Sequence, residues 1–149
     1  MTSWLAALLT AAAVAVSALA LVAWRKRRAY LVAIVRGPSM SPTYREGDRL
    51  LVRRVGPAAV RPGDVVVLTV PAGPVVDEIE LMVKRVAAMP GDPVPDGIPV
   101  GERLVPPGRL VVLGDNPHAS YDSRRAGYFD ASTLVGVVVR AMRTAAYVS

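Results

Sequence analysis

The chain has 149 residues, a single histidine and no cysteine, which excludes thiol catalysis, disulfides, cysteine-ligated zinc and any multi-histidine metal site. Its net charge of +6 comes from 18 Lys+Arg against 12 Asp+Glu, and 16 of the 18 cations are Arg. The few Tyr and Phe residues are not interleaved with the arginines, so the excess points to a membrane surface and not to nucleic acid.

From Ser3 to Trp24 no residue is charged, and Leu, Ala and Val dominate. As a helix this run would reach roughly 33 Å at about 1.5 Å per residue, enough for a bilayer core, with Trp4 and Trp24 at the two interfaces. Ala18-Leu19-Ala20 has the look of a signal cleavage site, but no basic residue precedes the run, which is also long for a signal's apolar core. The expectation is a retained transmembrane anchor with a basic juxtamembrane segment, Arg25-Lys26-Arg27-Arg28, over residues 1–28. One domain, residues 29–149, follows.

Beyond Arg28 the pattern becomes short Val/Leu/Ile-rich runs: Tyr30 to Arg36, Arg49 to Val55, Val65 to Val70, Ile79 to Met89, Arg109 to Leu113 and Leu134 to Met142. Four Gly-Asp pairs, at 47-48, 63-64, 91-92 and 114-115, punctuate them as turns. Thirteen prolines, mostly between the runs, argue against helices. The predicted fold is therefore an all-β domain of short strands preceded by one N-terminal transmembrane helix. Residues 90–108, with six prolines, read as an extended connection or a hairpin excursion.

Three stretches carry candidate chemistry. "VRGPSMSPTYREGD", residues 35–48, holds Ser39 in a stiff Gly-Pro/Pro bracket. A serine hydroxyl needs a base to act as a nucleophile at neutral pH, and the available bases are carboxylates, His118 or a lysine. The chain has two lysines: Lys26 in the basic cluster, and Lys84 in "IELMVKRVAAM". If that run is a strand, Met82, Lys84 and Val86 share one face. Burial there would lower the lysine pKa, as a lysine base requires, whereas arginine stays protonated. The other reading is an edge-strand lysine with its head in water. The third stretch, "LGDNPHASYDSRRAG", is either a polar loop held by its own Asx turns or a shell of groups bracing a site.

Together and in this order the stretches resemble the type I signal peptidases, membrane-bound Ser/Lys endopeptidases. "GPSMSPT" is similar to their nucleophile box, "GDRLLV" to the strand that follows, "KRVAAMPGD" to the lysine box, and "GDNPHASYDSRRAG" to the final box. The resemblance covers roughly residues 30–140. It implies Ser39 as nucleophile and Lys84 as general base. It implies Ser120 as the hydroxyl orienting the amine, Asp122 and Arg124 as a supporting pair, and Met40 as a cleft-lining residue. Some members have a serine two residues before the nucleophile whose hydroxyl helps bind the oxyanion; this chain has Gly37, as other branches do. The space between Lys84 and Gly114 is too short for a large accessory β-domain. The compact form is closer to mitochondrial inner-membrane peptidases and to small actinobacterial relatives, including maturation proteases of nickel superoxide dismutase.

The resemblance further implies hydrolysis without metal or cofactor, and cleavage after Ala-x-Ala in the signal peptides of exported preproteins. A dedicated precursor-maturation protease and a non-catalytic, membrane-tethered peptide-binding domain are the alternatives. The family places its catalytic domain outside the cytoplasm, whereas the basic cluster just after the apolar run would place it inside. The extracytoplasmic side is the expectation, because exported substrates emerge there. Oligomeric state and natural substrate are not specified by the sequence.

Overall fold

The computed structural model describes the backbone of residues 3–71 and 79–142. The chain divides into two compact units, Met1–Tyr30 and Leu31–Ser149. The first consists of helix α1, Ser3–Arg28, whose described side chains from Thr10 to Trp24 are all exposed. Among the described residues no helix is long and apolar enough to cross a membrane.

The second unit is built on one seven-stranded sheet. Its strands are β1 (Tyr30–Ile34), β2 (Arg49–Arg54), β3 (Val65–Pro71), β4 (Ile79–Ala88), β5 (Arg109–Leu113), β6 (Phe129–Asp130) and β7 (Leu134–Met142). The order is β1-β2-β7-β3-β4-β5-β6, so the last strand inserts antiparallel between β2 and β3 and closes the middle of the sheet. Six of the strands fall where the Val/Leu/Ile runs predicted them. β1 stops before the expected Arg36 because Gly37, at φ 73, turns the chain away. The two-residue β6 and the one-turn helix α2 (Ser123–Ala126) are too short to leave a period in the sequence.

The Val-Val-Val-Leu run of β3 lacks polar alternation because both of its faces are covered. Val65 and Val67 pack with Ala33, Val35, Met40, Leu50, Val52 and Val83 in one cluster. Val66 and Leu68 join Val60, Val86, Leu110, Val112 and Ala131 in another. Residues 90–108 form the hairpin excursion: Gly91 N–H donates to Val105 O, Val105 N–H to Asp92 O, and Val94 N–H to Arg103 O. Its Ile98 and Val105 are buried against Ala88 and Val111.

Three of the four Gly-Asp pairs are one device repeated. In Arg45–Asp48, Arg61–Asp64 and Met89–Asp92 the third residue is Gly at φ 88, 95 and 88. The fourth residue's N–H donates back to the first residue's carbonyl, at 3.0, 3.1 and 2.9 Å. Its carboxylate in turn accepts the first residue's N–H, at 2.9, 2.9 and 2.8 Å. Positive φ at the third position of a tight turn suits glycine. The fourth pair, Gly114-Asp115, is not such a turn and belongs to the site described below.

Gly136 sits in mid-strand on β7, and a Cβ there would lie 2.8 Å from the backbone carbon of Arg53 on β2. Backbone on a paired neighbour cannot retreat cheaply. Gly136→Ala is therefore expected to destabilise the domain by at least about 2 kcal/mol, while Val139→Ala, at an exposed site on the same strand, stays within about 0.5 kcal/mol. Urea unfolding of the two variants in detergent checks this.

Candidate active site

Ser39 lies in a turn fixed from three directions. Behind it, Val35 is tied to the Gly47-Asp48 turn: its N–H donates to Asp48 O, and Gly47 N–H donates to its carbonyl, both at 2.9 Å. Beyond it, Met40 is fully buried in the core and Tyr44 N–H donates to Met40 O. From the side, Asn116 grips the turn twice, its N–H donating to Ser39 O at 3.0 Å and its Nδ2 to Pro38 O at 3.3 Å. The Ser41-Pro42 peptide is cis. Among the described residues Ser39 N–H donates to no group.

Lys84 comes to this serine from β4. It is 4% exposed, and the residue directly opposite it on β3 is the fully buried Val66. This sets aside the solvated edge-lysine reading. Its Nζ donates to Ser39 Oγ at 2.9 Å. Burial lowers the Lys84 pKa below its ordinary value; nearby Asp122 opposes the shift and Arg124 adds to it.

The stretch from Gly114 to Arg124 closes the site. Asp122 is fully buried and accepts from Gly114 N–H at 2.8 Å and from Arg124 N–H at 3.1 Å. Arg124 Nε and Nη2 hold the two carboxylate oxygens at 3.0 and 2.5 Å, and Nη2 also donates to Gly114 O. Burial alone would raise the Asp122 pKa, but the hydrogen bonds outweigh it and hold the carboxyl at about 2. Ser120 is 4% exposed, and among the described residues its hydroxyl completes no hydrogen bond, although it lies near enough to Asp122 to help favour the carboxylate. Ser120 and the Ser39 backbone both crowd against Gly114: a Cβ there would collide with the Ser120 hydroxyl and lie 2.6 Å from Ser39 O.

The structure thus brings Ser39, Lys84, Ser120, Asp122 and Arg124 into one neighbourhood. Gly37, half-buried at φ 73, begins the turn that carries Ser39. Met40 is the floor of a cleft of about 150 Å³, lined on one wall by Val35, Arg36 and Ser39 and on the other by Val70 and residues 80–84. A larger surface hollow beside Pro42, Thr43, Arg45 and Asp48, about 320 Å³, contains neither Ser39 nor Lys84. Among the described residues no cluster of His, Asp and Glu is arranged to hold a metal ion.

Sequence reasoning missed Asp115, Thr43 and the gripping role of Asn116. Asp115 takes a two-pronged bond from Arg85, at 2.9 and 2.7 Å, and one from Thr43 Oγ1 at 2.5 Å. The Arg85 guanidinium, against the cost of partial burial, holds the Asp115 carboxyl below its usual range. This bond ties the residue after Lys84 to the segment that carries Ser39. A signal was present: Gly114-Asp115 follows the apolar Val-Val-Leu of β5, unlike the other three pairs.

The chain also matches a known family. The family described as signal peptidase, peptidase S26, matches residues 1–95 and 98–142. The chain belongs to this family. It is 32% identical over 126 residues to the probable signal peptidase I-1 of Synechocystis sp., covering 66% of this chain and 63% of that protein. It is 29% identical over 144 residues to signal peptidase I of Bacillus caldolyticus, covering 70% of this chain and 75% of that one. With the mitochondrial ATP-independent inner membrane protease subunit 1b of Arabidopsis thaliana it shares 35% identity over 117 residues, covering 72% and 67%. The chain therefore spans somewhat less than two thirds of the first of these S26 relatives and two thirds to three quarters of the others.

In this neighbourhood the buried Asp122 also sets an acid limit on stability. Its pKa falls from 3.8 to about 2 on folding, so its stabilisation is complete above pH 4 and is lost as pH drops toward 2. The expected loss is about 2 kcal/mol across that window. Urea midpoints measured from pH 5 to pH 2 should show it, and the drop should be smaller in Asp122→Asn, which starts less stable.

Proposed function

We propose that the protein is a membrane-anchored serine endopeptidase with a Ser39/Lys84 dyad, which removes signal peptides from exported preproteins by cutting after Ala-x-Ala. The observation that carries this reading is the 2.9 Å approach of a buried lysine amine, its pKa lowered by burial, to the hydroxyl of Ser39. The names of the relatives add the substrate class. The anchor rests on the uncharged run from Ser3 to Trp24, which extends beyond the described side chains of α1.

The mechanism follows from the groups at hand. Neutral Lys84 takes the Ser39 proton as Oγ attacks the scissile carbonyl. The developing oxyanion is met by the Ser39 N–H, free to donate; Gly37 offers no hydroxyl to help. The Lys84 ammonium then protonates the leaving amine, which departs, leaving an acyl-enzyme on Ser39. The Lys84 amine next takes a proton from water as the water oxygen attacks the acyl carbon, and returns that proton to Ser39 Oγ as it leaves, which releases the new carboxyl end and restores the dyad. The Asp122–Arg124 pair acts on the lysine through its charges, and the Ser120 hydroxyl, unpaired among the described residues, is the group left to orient the amine during the reaction. The substrate lies extended along β4, because β5 pairs with β4 only from Arg85 onward and leaves the edge before it open.

One observation favours a second reading, a dedicated maturation protease facing the cytoplasm: Arg25-Lys26-Arg27-Arg28 directly follows the apolar run. The two are separated by topology. In whole cells producing Asp96→Cys, an exposed position in a chain without cysteine, a membrane-impermeant thiol reagent should label the protein before lysis. Labelling only after lysis, in membrane-inserted protein, would favour the second reading.

Ser39→Ala and Lys84→Arg should each lower kcat/KM on an Ala-x-Ala peptide by at least about a thousandfold, because arginine keeps the charge but cannot act as a base. His118→Ala should stay within about threefold, since the exposed His118 sits outside the dyad. Activity of the unaltered chain should rise with pH as Lys84 loses its proton, at a pH below the 10.5 of an ordinary lysine. Near-normal turnover by Lys84→Arg would sink the mechanism.

A further inference from the structure

The dyad occupies one end of the cleft, and two charged side chains line the rest of it. On β4 the pairing of Ile79–Arg85 with Val65–Pro71 is unbroken, so Glu80, Met82 and Lys84 share one face. Glu80 therefore stands roughly 13 Å along the strand from Lys84, at about 3.3 Å per residue. It is exposed, lines the cleft, and among the described residues forms no ion pair. Arg36, three residues before Ser39, lines the opposite wall. The cleft is therefore not the uniformly apolar groove that recognition of small residues alone would need.

The direction of the bound peptide follows from the chemistry. The built part of the cleft lies on one side of the dyad, along residues 80–84, while Arg85 onward is covered by β5. Two consecutive steps require the acyl half of the substrate to stay in place, whereas the amine half leaves after the first. The half N-terminal to the scissile bond is thus the one that needs the walls. An extended peptide rises by the same amount per residue as β4, so its fourth or fifth residue before the bond comes level with Glu80.

We infer that Glu80 is a specificity-determining residue, selecting substrates with a basic side chain at the fourth or fifth position before the scissile bond. The inference rests on the Ser39/Lys84 reading, and it adds a charge requirement to the small residues at the first and third positions.

The test uses the full chain in detergent and fifteen-residue peptides with Ala at the first and third positions before the bond and Lys, Ala or Glu at both the fourth and fifth. At low ionic strength kcat/KM for the Lys peptide should exceed that for the Glu peptide by about five- to tenfold, the scale of one exposed ion pair gained and one repulsion removed. The ratio should shrink in 0.5 M salt, where screening is nearly complete beyond a few ångströms. Glu80→Gln should bring it close to one, and Glu80→Lys should invert it. Equal rates for the three peptides, or a Lys preference that survives both substitutions, would overturn the inference while leaving the dyad standing. Cleavage that persists in Ser39→Ala, or no cleavage of any peptide, would overturn the dyad reading and the inference with it.

Discussion

The Lys84 amine and the Ser39 hydroxyl meet at 2.9 Å across 45 residues of sequence, and the turn around Ser39 and the loop at Asn116 are held in place at that contact. Burying an ammonium costs several kcal/mol, so a lysine enclosed by apolar walls loses its proton more readily. The walls include Val66, directly opposite on β3, and Met40 from the turn that carries Ser39. The serine has no such enclosure of its own. It is held by groups from other segments, Asn116 above all, so the two side chains are positioned by different means. A regular strand fixes the lysine, and a clamped turn fixes the serine.

This division explains the contrast among the Gly-Asp pairs. Three of them are self-contained turns in which the aspartate satisfies its own loop. At Gly114-Asp115 the aspartate is released from local duty and reaches Arg85 and Thr43 instead. The glycine is needed there for space, since Ser120 and the Ser39 backbone press on it from the side a Cβ would occupy. The same dipeptide thus serves as a spacer between strands in three places and as a junction between Ser39, β4 and the Ser120 loop in the fourth.

How much of this was legible in the sequence depended on the range of the interactions. Strand positions were legible, because a Val-rich run bounded by Gly and Pro carries a local signal. The ends of β1 and β4 shifted by a residue or two, where Gly37 and the turn at Met89-Pro90 intervene. The strand order was not legible: insertion of β7 between β2 and β3 is decided by packing on both faces of β3, which no local pattern encodes. At the site, Ser39 and Lys84 stood out by composition and by resemblance, and Asp122 with Arg124 by adjacency. Asn116 and Asp115 did not, because their partners lie 78 and 30 residues away. The gap at the Ser120 hydroxyl is likewise a fact of three dimensions, since sequence shows a serine but not whether it is satisfied.

The charges around Lys84 give the arrangement its last constraint. Asp122 is the acid whose field favours the ammonium form, and left alone in a buried site it would pair with the lysine and hold its proton. Arg124 prevents this by taking both carboxylate oxygens for itself, and its own field pushes the lysine the other way. The two nearby charges then oppose each other at Lys84, and burial is the largest influence on its protonation. The partner that opposes Asp122 has to be an arginine, since a lysine in its place could lose a proton to the same burial and share the titration. Residues 29–149 contain one lysine among many arginines. Permanent positive charge is thereby confined to the supporting structure, and the single amine that can give up its proton stands beside Ser39.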